Sequence, residues 1–90
     1  MSYEAGGTLY IRVFYQDKDN TIRTLCRDGD KAWYQGTTFP VAFQGSSITC
    51  SYVNSSTYKG FVYFQKPDTT FVEYISTNLN DWGVGKLFAL

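Results

Sequence analysis

Two short stretches of the chain, VFYQ at Val13–Gln16 and VYFQ at Val62–Gln65, lie 49 residues apart and indicate the fold. Around the first stretch, apolar residues recur at every second position of TLYIRVFYQ (8–16). Side chains on a β-strand point alternately to its two faces, so this period places one set of residues on each face. One set is Leu9, Ile11, Val13 and Tyr15, and the other is Tyr10, Arg12, Phe14 and Gln16. The pattern therefore predicts a β-strand at each stretch.

The rest of the sequence also favours strands. Seven Phe, eight Tyr and two Trp make up 19% of the chain, and aromatic and β-branched residues are enriched in sheets. The runs NTIRTLC (20–26) and SSITCSYV (46–53) show the same period of two, and polar segments such as RDGDK (27–31) separate the runs. We predict an all-β fold of about seven short strands in an antiparallel meander.

The chain also matches itself when it is shifted by 49 residues. Residues 1–41 align with residues 50–90 without a gap and are identical at ten positions. These positions include Val13/Val62, Gln16/Gln65, Trp33/Trp82 and Gly36/Gly85. We predict one domain, residues 1–90, made of a first repeat (1–41) and a second repeat (42–90). A four-stranded unit that recurs every 40 to 50 residues or so has the period of a β-propeller blade.

Two blades cannot close a propeller, which needs roughly four to eight. An isolated pair would expose two apolar sheet faces, so we expect two, three or four chains to combine. Two full units of 49 residues would need eight more residues than the 90 present. The eight correspond to the start of the first strand of the first blade, its inner strand, which is SSITCSYV (46–53) in the second blade. Either that strand is short, or C-terminal residues of another chain, for instance Leu87 to Leu90, replace it. The alternative fold is a single-chain β-sandwich of seven strands.

The charged and reactive side chains narrow the range of functions. Eight basic and eight acidic residues cancel and there is no His, so binding to nucleic acid is not expected. No run approaches the roughly 20 apolar residues of a membrane span, so membrane insertion is not expected, and we find no signal-peptide pattern. We therefore expect a cytoplasmic or non-classically released chain. Cys26 and Cys50 lack the spacing of a metal or redox site, and we expect free thiols and no cofactor.

An enzyme is not expected either. Glycoside hydrolysis, for example, generally uses two carboxylates that flank the scissile bond. Glu73 has Thr24 at the matching place of the other repeat, so the repeat supplies no second carboxylate.

The run IRVFYQ (11–16), followed by NTIRTLCRDG (20–29) and WYQG (33–36), resembles the repeat of the Aleuria-type fucose-binding lectins of fungi and bacteria. In the second copy, GFVYFQ (60–65) and DWGVG (81–85) carry a weaker likeness. The resemblance covers essentially the whole chain and implies a six-bladed β-propeller. Small members of that family have two blades per chain and form trimers, which implies a homotrimer here. It also implies a lectin that binds fucosylated or other glycans in pockets between the blades.

The resemblance further implies which residues hold the sugar. The family uses an Arg on the second strand, a Glu on the third strand and aromatic residues of the adjacent blade. Charged groups hydrogen-bond the sugar hydroxyls, while an aromatic ring packs against the apolar face of the sugar. The first copy has Arg12 but Thr24 in place of the Glu, and the second has Glu73 but Phe61 in place of the Arg. The implied pockets are Arg12, Thr24 and Trp82 in one, and Glu73, Phe61, Arg27 and Trp33 in the other.

Each of these residues also has a structural interpretation. Arg12 would pair with a carboxylate at the edge of the core, Glu73 would face solvent, and the two Trp would serve blade packing. Arg27 would pair with Glu73 and fill the pocket. Gly36 and Gly85 are expected to serve backbone turns. The alternative function is a propeller scaffold or protein-interaction module with degenerate sugar sites.

Overall fold

The computed structural model describes residues 1–54, 58–78 and 80–88, and these residues form eight β-strands. The strands are β1 (Ser2–Ala5), β2 (Thr8–Gln16), β3 (Thr21–Asp28), β4 (Tyr34–Val41), β5 (Thr49–Asn54), β6 (Tyr58–Gln65), β7 (Phe71–Ser76) and β8 (Gly83–Phe88). The first four pair in chain order as one antiparallel sheet, which we call sheet 1, and the last four pair in the same way as sheet 2. The prediction of an all-β fold is therefore confirmed.

The predicted four-stranded antiparallel unit, used twice, is confirmed, and the structure has eight strands where about seven were counted, because β1 forms a strand of its own. Gly6 and Gly7 have φ angles of 58° and 81°. A two-residue hairpin turn of this kind needs positive φ at both central residues, which glycine adopts without steric cost. Ala5 consequently pairs with Thr8, and four residues suffice for an inner strand.

The inner strand of sheet 1 is short, and its pairing extends to the first residue. The Met1 ammonium donates to the Arg12 carbonyl at 2.6 Å, and the Arg12 amide donates to the Met1 carbonyl at 2.8 Å. The idea that C-terminal residues of another chain replace this strand is wrong for Leu87, which pairs with Val72 of β7 in its own sheet. Residues 89–90 lie outside the described part of the chain.

The second and third strands pair in the same register in both sheets when residue numbers are shifted by 49. Phe14 lies opposite Thr24 between β2 and β3, and Tyr63 lies opposite Glu73 between β6 and β7. A register shift also falls at corresponding places between the third and fourth strands, at Arg23/Leu25 and at Val72/Tyr74. Side chains that are 49 residues apart on these strands therefore occupy equivalent places in their sheets.

The core lies between the two sheets. Phe39 of β4 contacts Phe64, Tyr74 and Trp82, with ring centroids 6.2, 4.9 and 5.8 Å apart. The buried apolar residues of this core are Ile22, Phe39, Ala42, Val62, Phe64 and Val72. Edge-on aromatic contacts of this kind add to the stabilisation that apolar burial provides. We call the face that each sheet turns towards this core its inner face, and the opposite face its outer face.

The outer faces are largely apolar. Alternation along the strands assigns Leu9, Ile11, Val13, Tyr15 and Leu25 to the outer face of sheet 1, and Phe61, Tyr63 and Ile75 to that of sheet 2. Leu9 and Val13 are 47% and 43% exposed. A free-standing sandwich normally presents polar residues on its outer faces, so these two surfaces are suited to contact with further protein.

Cys26 and Cys50 are free thiols, and Cys26 is buried. Within the described ranges, no group of three or more His, Cys, Asp or Glu side chains is arranged to hold a metal ion. The same part of the chain contains no helix long and apolar enough to cross a membrane.

Candidate functional site

Arg12 of β2 lies on the inner face of sheet 1, with only 2% of its side chain exposed. Its Nη1 donates to Asp28 Oδ1 at 2.9 Å and to the Ile11 carbonyl at 2.9 Å. Its Nη2 donates to the Tyr34 hydroxyl at 3.3 Å and to Asn80 Oδ1 at 3.2 Å. The guanidinium thus links three strands of sheet 1 to the segment before β8. The interpretation in which Arg12 pairs with a carboxylate is confirmed, and the carboxylate is Asp28.

Hydrogen bonds fix the charge state of this cluster. Burial raises the pKa of Asp28, but the hydrogen bonds from Arg12 and Tyr34 outweigh burial and hold this pKa below its usual value. The Tyr34 hydroxyl donates to Asp28 Oδ2 at 2.8 Å. Burial and this hydrogen bond raise the pKa of Tyr34 to about 12. At neutral pH the cluster is therefore an ion pair with a neutral phenol beside it.

Thr24 and Trp82 lie at the same interface as Arg12. Trp82 meets Phe14 edge-on, with ring centroids 5.6 Å apart, and Phe14 lies directly opposite Thr24 across the strands. Thr24 is 1% exposed, and its hydroxyl has no hydrogen-bond partner among the residues that the structure describes. Asn80, two residues before Trp82, contacts Arg12. The structure therefore brings together the three residues predicted for the first pocket.

Glu73 of β7 lies on the outer face of sheet 2, yet it is only 8% exposed, so the prediction of a solvent-facing residue was wrong. Its Oε2 accepts a hydrogen bond from the Tyr63 hydroxyl at 2.6 Å. This hydrogen bond, with a smaller effect of burial, raises the pKa of Tyr63. The salt bridges between described residues are Arg12–Asp28 and Arg23–Asp17, and neither includes Glu73. Phe61 stands on the same face, at the place that Arg12 takes in sheet 1.

Gly36 and Gly85 do not serve backbone turns, and that prediction was wrong. Both lie inside strands, β4 and β8, with no positive φ. A Cβ on Gly36 would lie 2.6 Å from Cys26 Sγ and 3.3 Å from Thr24 Cβ. A Cβ on Gly85 would collide with Glu73 Oε1. Each glycine makes room for the side chains of the neighbouring third strand, including the candidate ligand position of its own sheet.

Arg27 and Trp33 lie together, away from the first pocket. The Arg27 guanidinium carbon is 5.9 Å from the centroid of the Trp33 ring, and Arg27 Nε donates to the Lys31 carbonyl at 3.1 Å. Trp33 is 46% exposed. Arg27 alternates with buried Cys26 on β3 and so belongs to the outer face of sheet 1. Within one chain the two outer faces point apart, so Arg27 does not pair with Glu73 there.

Three polar residues of the first pocket were missed in the sequence: Asp28, Tyr34 and Asn80. Asp28 had a local signal, because it continues the alternating set Ile22, Thr24, Cys26 on the face of β3 that carries Thr24. A buried arginine needs an acceptor, and the period of two would have placed this carboxylate beside Arg12. Asn80 had no such signal, because it approaches Arg12 from the other sheet.

A comparison with known protein families identifies the family of the chain. The model of the fungal fucose-specific lectin family matches residues 1–89. No curated protein and no solved structure matches the chain. The match spans both sheets, and so it includes the arginine cluster between the sheets as well as Glu73 and Trp33 on the outer side. The chain belongs to the fungal fucose-specific lectin family.

Proposed function

We propose that the chain is a multivalent lectin in which three copies form a six-bladed ring and bind fucose, or a related sugar of a glycan, in pockets between adjacent sheets. The observation that carries the proposal is the match of residues 1–89 to the fucose-specific lectin family. Many weak sites on one ring would gain avidity on a glycan-coated surface. Glycan binding of this kind is non-covalent, and we propose no catalytic step.

The arrangement of the two sheets supports the ring. Sheet 1 packs its inner face on the inner face of sheet 2, and each outer face carries a row of apolar side chains beside its charged ones. Contact between the outer face of sheet 2 in one copy and the outer face of sheet 1 in the next is head-to-tail, and such contacts close a ring when the rotation is right. Three copies give six sheets, the number that the resemblance implies.

The two kinds of pocket would differ in this ring. The pocket inside one chain contains Arg12, Thr24 and Trp82, whereas Glu73 and Trp33 would meet only where two chains join. A glycan in the pocket inside one chain would compete with contacts that the protein already makes, because Asp28, among others, binds the buried guanidinium of Arg12. The pocket between chains is therefore the better candidate for sugar binding.

The satisfied state of Arg12 also favours a second candidate function. A buried structural arginine requires hydrogen-bond partners for its guanidinium. Arg12 has four: a carboxylate, a hydroxyl, a side-chain amide and a backbone carbonyl. The chain would then be a propeller scaffold or protein-interaction module with degenerate sugar sites.

Two measurements on one preparation separate these functions. Light scattering after size exclusion gives the number of chains, and a glycan array tests binding by the wild type and by Trp33→Ala. We expect a three-chain mass and binding to fucosylated glycans that Trp33→Ala removes. Phe43→Ala is the matched control, since Phe43 is similarly exposed at 44% but lies in the segment between the sheets. A three-chain mass with a blank array would favour the scaffold, and a monomer would contradict the ring.

A further inference from the structure

We propose that Glu73 pairs with Arg27 of the partner subunit, which supplies in trans the cation that Phe61 does not supply in cis. This inference rests on the ring proposed above: it describes the pocket between chains without sugar, and a bound sugar would take over the hydrogen bonds of the two charged groups. In the pocket inside one chain, the corresponding cation is Arg12, which stands on the same strand position as Phe61.

Glu73 is a nearly buried carboxylate that forms no ion pair among the described residues. It is 8% exposed on the outer face of sheet 2, and the described residues place no cation in a salt bridge with it. One of its oxygens accepts from Tyr63, and the other lies against Gly85. Covering this outer face with another chain would bury the carboxylate further, and a buried charge is costly unless it is paired.

Arg27 has a matching arrangement on the outer face of sheet 1. Its guanidinium lies over the face of the Trp33 ring, and its Nε donates to the Lys31 carbonyl. Together these contacts use one of the five N–H donors of the guanidinium. The segment around it also carries a second basic residue, Lys31.

The contact between the two sheets of one chain serves as the template for the contact between chains. In that contact, Trp82 packs edge-on against Phe14, and Asn80 reaches Arg12. A hydrogen-bonded network runs from Ser76 through Asn78 to the Asn80 amide, with distances of 3.1 and 2.9 Å. The side chain at position 76 is therefore connected, through position 80, to the one at position 12.

Shifting these numbers by 49 predicts the contact between chains. Trp33, in place of Trp82, would lie against Tyr63, in place of Phe14. Arg27 would take the place of Ser76, Lys31 that of Asn80 and Gly29 that of Asn78. Gly29 has no side chain to relay a hydrogen bond, so the longer side chain of Arg27 would make the contact directly. The hydroxyl of Tyr63 already contacts Glu73, and the guanidinium of Arg27 already lies on Trp33. If Trp33 of one chain meets Tyr63 of the next, the carboxylate and the guanidinium arrive at the same place.

Charge reversal tests this pairing. Arg27→Glu and Glu73→Arg each place like charges together, and the double variant restores opposite charges with their positions exchanged. We expect each single variant to lose the three-chain mass in light scattering at concentrations where the wild type keeps it. We expect the double variant to regain it. Close charge pairs at interfaces show coupling of roughly tenfold or more in affinity, so the dissociation constant of the assembly should follow the same pattern.

Lys18→Glu is the control variant. It makes the same change of charge at an exposed position in the β2–β3 turn, and it should leave the mass unchanged. If the wild type and both single variants are all trimers, the pairing is overturned but the ring is not. A double variant that stays dissociated while both singles dissociate would also overturn it. A monomeric wild type would overturn the ring itself, and the pairing with it.

Discussion

The two sheets place different chemistry at equivalent positions. In sheet 1 the pair at the second and third strands is Arg12 and Thr24, and in sheet 2 it is Phe61 and Glu73. The first pair faces the core between the sheets, where Arg12 has its carboxylate within the same chain. The second pair faces outwards, where the described residues offer Glu73 a phenol but no cation. The site between the sheets therefore has its cation within the chain, whereas the site on the outer face of sheet 2 would need a cation from another chain.

The largest effect that we expect is that of Arg12→Met. This change removes the buried cation and leaves Asp28, Tyr34 and Asn80 without their common partner. Breaking a buried pair by removing one member typically costs about 3 to 5 kcal/mol in the free energy of unfolding. Because the Asp28 side chain is 26% exposed, we expect the lower end of that range, about 3 kcal/mol. Urea denaturation followed by fluorescence measures this loss. Arg23→Met is the matched control, because Arg23 pairs with Asp17 on the surface, and its loss should be clearly smaller. Equal losses would contradict a special role for the inner pair.

A smaller effect is expected from adding one methyl group to either glycine. Gly36→Ala would place Cβ against Cys26 Sγ and should cost about 2 kcal/mol, typical of an overpacked site. Gly85→Ala would displace the Glu73 carboxylate instead, so it should also weaken glycan binding and assembly. Thermal unfolding and the glycan array together distinguish the two variants. If Gly36→Ala also lost glycan binding while its assembly stayed intact, the glycan would bind in the pocket inside one chain rather than between chains.

The acid stability of the chain should depend on Asp28. The pKa of this carboxyl is lower in the folded state than in the unfolded chain, so its contribution to stability is present above the unfolded pKa. The contribution is lost as the pH falls through the folded pKa, which places the loss below about pH 4. Asp28→Asn should be less stable than the wild type at pH 7, and the difference should shrink at low pH. Denaturant midpoints at several pH values measure this, and a difference that grew on acidification would contradict it.

The smallest effect is expected from Thr24→Val. The hydroxyl of Thr24 is buried with no partner among the described residues, and the apolar side chain has nearly the same shape. Removing such a hydroxyl should leave the free energy of unfolding within about 1 kcal/mol of the wild type, or raise it. A clear loss of stability would show that the hydroxyl has a partner. The matched change in sheet 2, Glu73→Gln, should instead affect assembly, because it removes a charge.

Much of the fold could be predicted from the sequence because strand formation has a local cause. The period of two in 8–16 and 20–26 fixed which side chains share a face, and both segments are strands. The sequence left two alternatives for the inner strand of the first repeat, a short strand or replacement by another chain, and the structure has the short strand β1. The consecutive glycines at 6 and 7 were the available signal for its hairpin.

For the candidate pockets, too, part could be predicted from the sequence and part could not. The alternating pattern and the family resemblance named Arg12, Thr24 and Trp82, which the structure brings to one interface. The burial of Glu73 was not predictable, because alternation gives the face of a side chain but not what covers it. The roles of Gly36 and Gly85 were not predictable either, because they depend on side chains of the neighbouring strand, and the pattern of one strand does not show which residues lie beside it.

The all-β class, the equivalence of positions 49 residues apart and the possible ligand residues can all be predicted from the sequence, since they follow from side-chain alternation and from likeness between segments. Only the tertiary structure decided which of those residues are already satisfied. Arg12, Asp28 and Tyr34 meet because three strands pair in one sheet, and Asn80 reaches Arg12 because the two sheets pack face to face. Strand pairing and sheet packing together satisfy Arg12 within the chain, whereas Glu73 lies on the face where the next chain would bind.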